Sequence, residues 1–193
     1  VIYVGDDDER FAEFRTALID ATEALTVGDP FDDGTDVGPV INARAHDRIT
    51  SWVDEAVEKG ARILNTRADV PSIGTWYPPT VIENVPDDSE LGRGEIFGPV
   101  TQLLRRTDRD DAVDLINGEP YGLASSVWCE DIAQVRWWAS RIRVGTLAVN
   151  GYSEGTEATP FGGMRQSGFW GRDNGPEALG TYQETMTVWV ADT

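Results

Sequence analysis

Apolar positions along this chain follow two periods, one typical of helices and one typical of strands. Helical spacing predicts helices at 11–25, 49–57, 109–116, 131–142 and 176–179. Short apolar runs predict strands at 1–4, 61–64, 80–85, 100–104, 123–128, 146–149 and 186–190. Strands and helices alternate with short connections, apart from a long glycine-rich loop. We therefore predict an α/β fold with a largely parallel sheet flanked by helices.

Charge excludes one class of partner. Acidic residues number 34 against 16 basic ones, and the formal net charge is −18. A surface this negative repels phosphate backbones, so we expect no nucleic-acid partner. Lys59 is the only lysine, and every other basic residue is arginine. This composition favours a halophilic protein adapted to high salt, where screening weakens self-repulsion, over an acidic product of a high-GC genome.

The location of the protein is predicted from segments that the sequence does not contain. No run of about 18 apolar residues is present, so we expect no membrane span. No basic and then apolar segment opens the chain, so we expect no secretory signal and a cytoplasmic protein. The chain also begins abruptly in the strand predicted at 1–4, which favours a fragment of a longer protein.

Residue counts also restrict the chemistry. A single cysteine, Cys129, excludes an internal disulfide framework, and a single histidine, His46, excludes a His-rich metal site. No basic residue adjoins Cys129 in the sequence to activate its thiol. The adjacent Glu130 carries a negative charge, which disfavours the thiolate. We therefore interpret Cys129 as structural and predict no metal site.

One hexapeptide resembles the signature of a known protein family. Residues 95–100 read E-I-F-G-P-V, which resembles the signature of the NAD(P)-dependent aldehyde dehydrogenase superfamily. Other segments that resemble this family stand in the same order: G-D-P-F at 28–31, Y-P-P-T-V at 77–81, Y-G-L-A at 121–124 and P-F-G-G at 160–163. The resemblance covers essentially the whole chain and is to the C-terminal, catalytic-domain portion of the family. It implies a catalytic-domain part at 1–182 and an oligomerisation strand with its tail at 183–193.

The resemblance implies oxidation of a small-molecule aldehyde to a carboxylic acid with NAD or NADP as cofactor. In the family, a cysteine thiolate attacks the aldehyde to form a thiohemiacetal, and water later hydrolyses the resulting thioester. By alignment, that cysteine lies just before Val1, so we expect no catalytic residue within this sequence. The isolated chain is accordingly expected to be inactive.

Three side chains receive roles from the resemblance. Glu95 corresponds to the glutamate that hydrogen-bonds the nicotinamide ribose, where one carboxylate can accept from two hydroxyls. Phe97 corresponds to the phenylalanine that packs beside the nicotinamide ring. Phe161, in P-F-G-G, corresponds to an aromatic wall of the substrate tunnel. The stretch 152–158 is expected to line the mouth of that tunnel.

The resemblance also implies a homo-oligomer, a dimer or tetramer, held partly by the terminal strand. Two alternatives to an enzyme portion remain at this point. One is a truncated, catalytically inactive chain that acts only in association or in cofactor or ligand binding. The other is an independent small-ligand module that uses the glycine-rich segment 161–168, whose backbone amides could bind an anion.

Overall fold

The computed structural model describes residues 1–152, 155–169 and 171–192. The chain divides into two compact units, Val1–Arg109 and Asp110–Thr193. Each unit contains its own sheet, and most strand pairs are parallel. The α/β class with a largely parallel sheet, predicted from the sequence, is confirmed.

The first unit is built on a four-stranded sheet with the order β1-β4-β3-β2. Its strands are β1 (Ile2–Val4), β2 (Arg62–Ile63), β3 (Thr80–Glu83) and β4 (Val100–Arg106). Strand β4 runs parallel to both β1 and β3, and β2 pairs antiparallel with β3. The C-terminal ends of β1 and β3 therefore point the same way as that of β4.

The helices of the first unit are α1 (Asp8–Glu23), α2 (Ala43–Glu58) and α3 (Glu90–Arg93). Each begins directly after a residue whose side chain accepts a hydrogen bond from a backbone amide of the first turn: Asp7, Asn42 and Ser89. Such caps satisfy donors that have no partner within the helix. Helix α1 ends two residues before the predicted position.

The core of the first unit lies beneath α2. Ile49, Val53 and Ala56 recur at helical spacing along one face of α2, and all three are fully buried. They pack with Ile82 of β3 and Leu91 of α3, which are also fully buried. This apolar face is what the sequence pattern predicts for a helix covering one side of a sheet.

A polar contact joins α1 to the edge of the same sheet. The Glu83 carboxylate accepts hydrogen bonds from Arg15 Nε at 3.0 Å and from Arg62 Nε at 3.0 Å. Burial alone would raise the pKa of Glu83, but the hydrogen bonds from the two arginines outweigh it, and the net pKa lies below its usual value. Glu83 therefore links α1, β2 and β3 as an ionised group.

The second unit contains a two-stranded parallel sheet and two helices. Its elements are α4 (Arg109–Gly118), β5 (Ala124–Val127), α5 (Ile132–Ala139) and β6 (Thr146–Val149), followed by 3-10 turns at Arg165–Ser167 and Pro176–Tyr182. The Asn150 side chain donates to the Cys129 carbonyl and accepts from the Cys129 amide, each at 2.9 Å. These two bonds hold together the chain segments that leave β5 and β6.

The C-terminal segment differs from the prediction. Residues 183–192 form no strand within this chain, and the apolar side chains at 186 and 188–190 are exposed. A strand requires a hydrogen-bonded neighbour, and none of the described strands pairs with this segment. The strand predicted at 186–190 is thus absent from the single chain, while its apolar surface is present.

None of the helices in the described ranges is both long enough and apolar enough to cross a lipid bilayer.

Candidate functional site

The E-I-F-G-P-V segment connects α3 to β4 in the first unit, and its two ends are anchored. At one end the Gly94 amide donates to the Glu90 carbonyl at 2.9 Å and ends α3. At the other end the Thr80 amide of β3 donates to the Pro99 carbonyl, also at 2.9 Å. The segment therefore enters the parallel sheet directly and has little freedom to shift.

Close packing against α2 fixes the middle of the segment. Ile96 packs against the buried core. A Cβ at Gly98 would lie 2.5 Å from Ile49 Cδ1, and a Cβ at Gly94 would lie 2.6 Å from the Trp52 ring. Any other residue at these two positions would displace the Ile49 or Trp52 side chain, because such separations are well inside van der Waals contact.

Glu95 and Phe97 flank the inward-facing Ile96 and are both exposed. Phe97 is 77% exposed, and its φ of +48° lies in the left-handed region. A bulky side chain rarely adopts this backbone conformation, and leaving an aromatic ring in water gains no burial energy. An unfavourable backbone that displays an exposed ring is typical of a functional position.

Arg48 of α2 braces this segment from below. Its Nη1 donates to the Glu95 carbonyl at 3.2 Å, and its guanidinium lies 5.0 Å from the centre of the Trp52 ring. The backbone of Glu95 is thereby held while its carboxylate stays exposed. Sequence reasoning missed this contact, although the four-residue spacing of Arg48 and Trp52 places both on one face of α2.

In the second unit, Phe161 lies in a turn closed by backbone hydrogen bonds. Phe161 and Asp173 exchange two backbone hydrogen bonds, each 2.7 Å long. The next residue, Gly162, has a φ of +154°, and a Cβ at Gly145 would overlap the Gly162 carbonyl. The turn is therefore packed directly on the backbone that begins β6, and Phe161 is half-buried.

The residues after this turn are bonded to the segment that precedes β5. The amides of Met164 and Gln166 donate to the carbonyls of Gly122 (2.8 Å) and Pro120 (3.0 Å). In the opposite direction, the Gly122 amide donates to Ser167 Oγ at 3.0 Å. We call residues 161–168 the Phe161 turn. Its fixed backbone argues against a free anion-binding loop, because several of its amides already have partners.

The structure exposes both Glu95 and Phe97 on the E-I-F-G-P-V segment of the first unit. Phe161 belongs to the second unit. Of the predicted tunnel-mouth stretch 152–158, Ser153 and Glu154 lie outside the described residues. Tyr152 is exposed and lies edge-on to Trp128, with ring centres 6.0 Å apart.

Comparison with known proteins identifies the family of this chain. The model of the aldehyde dehydrogenase family matches residues 2–188. Succinate-semialdehyde dehydrogenase [NADP(+)] 1 of Mycobacterium ulcerans is 36% identical over 177 residues, which are 92% of this chain and 38% of that protein. Betaine aldehyde dehydrogenase 1 of Rhizobium meliloti is 38% identical over 184 residues, which cover 92% of this chain and 37% of that protein.

Solved structures give the same result. An NAD+ complex of aldehyde dehydrogenase from Bacillus cereus matches with a TM-score of 0.85 and 29% identity over 95% of this chain and 37% of that one. Aldehyde dehydrogenase of Mycobacterium tuberculosis, complexed with NAD+, matches with a TM-score of 0.82 and 32% identity over 94% and 37%. The chain belongs to the aldehyde dehydrogenase family. It spans less than two fifths of the length of these relatives.

Proposed function

We propose that this chain is the part of an NAD(P)+-dependent aldehyde dehydrogenase that holds the nicotinamide ribose and lines the aldehyde site. The main evidence is the anchored E-I-F-G-P-V segment. It displays the exposed carboxylate of Glu95 beside the exposed ring of Phe97, whose backbone is strained. The proposed reaction oxidises a small-molecule aldehyde to a carboxylic acid. When bound, NAD or NADP supplies the hydride acceptor for that oxidation.

The chemistry of Glu95 fits a ribose. A carboxylate has two oxygens and can accept from both hydroxyls of a vicinal diol at once. Arg48 holds the Glu95 backbone and leaves the carboxylate exposed and available. Hydrogen bonds to a charged acceptor are short and strong, so a single residue can orient the sugar.

The geometry of Phe97 fits a flat ring beside that sugar. Its exposed side chain is two residues from Glu95, and both flank the half-buried Ile96, which packs against the core. Aromatic rings stack with an offset or meet edge-on, and either contact would recover the burial that Phe97 lacks in the free chain. In this proposal, Glu95 orients the ribose and Phe97 limits rotation of the nicotinamide.

Phe161 is the proposed apolar wall of the aldehyde site. It is half-buried in a turn whose backbone is fixed on both sides, so its ring can present a stable surface. Pockets for small molecules are lined mainly by apolar and aromatic groups, which suits an aldehyde tail. Succinate semialdehyde is an anion and betaine aldehyde is a cation, so the names of these two relatives leave the charge of the aldehyde tail open.

The test uses the complete gene product that carries this chain, assayed for aldehyde oxidation with NAD+ and with NADP+. Glu95→Gln keeps the size of the side chain and removes its charge, which is worth about 1.5–3 kcal/mol for a charged hydrogen bond. We expect a raised cofactor KM or slower hydride transfer, with an unchanged aldehyde KM. Glu90→Gln, the same change at an exposed neighbour in α3, is the control.

Two results would contradict this proposal. One is an absence of turnover with any aldehyde and either cofactor, which would favour the inactive, association-only alternative. The other is a Glu95→Gln enzyme whose cofactor KM and hydride step match those of the Glu90→Gln control.

We also propose that the complete protein is a homo-oligomer, a dimer or tetramer, in which segment 183–190 pairs with a second copy. The exposed apolar side chains of Met186, Val188 and Val190 support this, because they alternate along an extended segment. Thr187→Pro or Val188→Pro removes a backbone donor and should lower the oligomeric order in light scattering. An unchanged oligomer in both variants would contradict it, and Thr187→Val is the matched control.

Cytoplasmic location and adaptation to salt are further proposals. The acidic composition, with its net charge of −18, supports the second. If self-repulsion limits assembly, the oligomer should loosen as salt is lowered, because screening weakens with it. Light scattering between 0.1 M and 2 M KCl, about a threefold or greater change in Debye length, measures this directly.

A further inference from the structure

The side chain of Arg165, in the Phe161 turn, makes three long-range hydrogen bonds. Its Nη1 donates to the carbonyls of Asn117 and Glu119, the latter at 2.6 Å, and its Nη2 donates to the Arg143 carbonyl at 3.1 Å. All three acceptors are backbone oxygens, and they lie 22 to 48 residues away in sequence. One guanidinium thus joins the end of α4, the connection before β5 and the connection before β6.

The location of these acceptors explains why a cation lies there. The carbonyls at the end of a helix have no partner within it, and that end carries a partial negative charge. Helix α4 has no basic residue in its own last turn. Arg165 supplies that charge from a distant part of the chain.

Two neighbours shape the space for the guanidinium. A Cβ at Gly122 would lie 3.2 Å from Arg165 Nη2, so the glycine leaves room for the side chain. The Asn117 side chain donates to the Arg141 carbonyl at 2.8 Å and accepts from the Arg143 amide at 2.9 Å. The connection that supplies the Arg143 carbonyl is therefore itself held in place.

The backbone of Arg165 shows that these contacts carry strain. Its φ is +55°, a left-handed backbone conformation that is unfavourable for a residue other than glycine. Strained residues persist only where surrounding contacts determine their position. Here those contacts are the three hydrogen bonds of the guanidinium, together with the Met164 and Gln166 amides on either side.

We propose that Arg165 is a positioning residue that sets the Phe161 turn against residues 117–122 and thereby determines aldehyde affinity. This inference rests on the proposed function, in which Phe161 lines the aldehyde site. Three carbonyls spread around one planar group suit the fork of an arginine, whose donors lie on separate nitrogens, whereas the three donors of a lysine ammonium share a single nitrogen. The role is specific to the turn and does not involve Glu95 or Phe97, which belong to the first unit.

The test compares the complete gene product with Arg165→Lys, Arg165→Gln and the control Arg136→Gln, which removes an exposed charge from α5. Hydrogen exchange is followed at the amides of Phe161, Met164 and Gln166, which are hydrogen-bonded in the turn. We expect about tenfold faster exchange at these amides in Arg165→Gln, the equivalent of losing one charged hydrogen bond. The exchange rates in Arg165→Lys should lie between those of the parent and Arg165→Gln, and the rates in Arg136→Gln should match the parent.

Kinetics supply the readout that a purely structural role would not change. We expect a raised aldehyde KM in both Arg165 variants, larger for Gln than for Lys, with an unchanged cofactor KM. Unchanged exchange and an unchanged aldehyde KM in Arg165→Gln would overturn the proposal. So would exchange that rises equally in both units, or aldehyde and cofactor KM values that rise together.

The two proposals fail in distinguishable ways. If the parent protein oxidises no aldehyde, the proposed function fails, and the assignment of Arg165 to an aldehyde site fails with it. The exchange measurement still reports in that case whether Arg165 holds the turn. If turnover is present but the Arg165 variants behave like Arg136→Gln, only the inference about Arg165 is wrong.

Discussion

The segment around Phe97 and the turn around Phe161 each hold an aromatic side chain, but by different means. The Phe97 segment rests mainly on apolar packing, with the half-buried Ile96 against the core and Gly98 against Ile49. The Phe161 turn rests on backbone hydrogen bonds and on the guanidinium of Arg165. Packing is insensitive to charge and direction, whereas a hydrogen-bonded turn depends on the exact donor. Substitutions that remove packing should therefore affect the Phe97 segment most, and substitutions that disturb hydrogen bonds should affect the Phe161 turn most.

Truncating the packing beneath the Phe97 segment should have the largest effect. Ile49 is fully buried, so Ile49→Ala leaves a cavity under Gly98 and should lower the free energy of unfolding by about 2–5 kcal/mol. Urea unfolding measures this. Ile73→Ala is the control, since Ile73 is 89% exposed and should change stability by no more than about 0.5 kcal/mol. Equal losses for the two variants would mean that packing does not hold this region.

The polar contact of the first unit should come next. Glu83→Gln removes the charge that Arg15 and Arg62 share and should cost about 1.5–3 kcal/mol of unfolding free energy at pH 7. Glu13→Gln, at an exposed position of α1, is the control. A loss no greater than that of the control would show that this ion pair contributes nothing.

The same residue predicts a pH dependence. The folded pKa of Glu83 is lowered, so its stabilisation is complete above the unfolded value of about 4.3 and is lost as pH falls through the folded pKa. The parent protein should therefore lose more stability than Glu83→Gln as the pH falls from about 5 through the unfolded pKa and below the lowered folded pKa of Glu83. Parallel curves for the two proteins would contradict this.

A backbone clash should distort the Phe161 turn by a smaller amount. Gly145→Ala places a Cβ on the Gly162 carbonyl, and such overpacking costs about 1–3 kcal/mol. We expect faster hydrogen exchange at Phe161 and a raised aldehyde KM, with cofactor KM unchanged. Gly118→Ala is the control, because no atom lies within 4 Å of the added Cβ. A Gly145→Ala protein as stable as this control would show that the turn can move away.

The smallest effect is expected for Arg48. Arg48→Leu removes the hydrogen bond to the Glu95 carbonyl and the contact with Trp52, a half-buried cation–π pair worth about 1 kcal/mol. Stability should change little, and cofactor KM should rise less than in Glu95→Gln. Arg44→Leu, one turn earlier at an exposed position of α2, is the control. A cofactor KM equal to that of the control would exclude Arg48 from the site.

The sequence predicted most elements of both units because their determinants are local, but it missed the short helix α3 (Glu90–Arg93) and placed the start of α2 six residues too late. Hydrophobic period and capping side chains place α2 and α5, and β6 occupies the predicted 146–149. The strand predicted at 186–190 is absent, because none of the described strands pairs with this segment. An alternating pattern shows that a strand can form and does not show with what it pairs.

The candidate site was predictable only in part. The resemblance selected Glu95, Phe97 and Phe161, and the structure shows the first two exposed on one turn. The left-handed backbone of Phe97 has no local sequence signal, since glycine or asparagine would normally occupy such a position. The role of Arg165 was missed because its acceptors are backbone carbonyls up to 48 residues away, and every residue type carries a carbonyl.

The central claim is that the first unit holds the cofactor and the Phe161 turn holds the aldehyde. Titration of the complete gene product with NAD+ and NADP+ by calorimetry tests it most directly, with Glu95→Gln and Arg165→Lys compared with the parent. We predict that Glu95→Gln weakens binding of the preferred cofactor at least about tenfold, and that Arg165→Lys leaves it unchanged. An unchanged cofactor affinity in Glu95→Gln, or an equal loss in both variants, would contradict the claim.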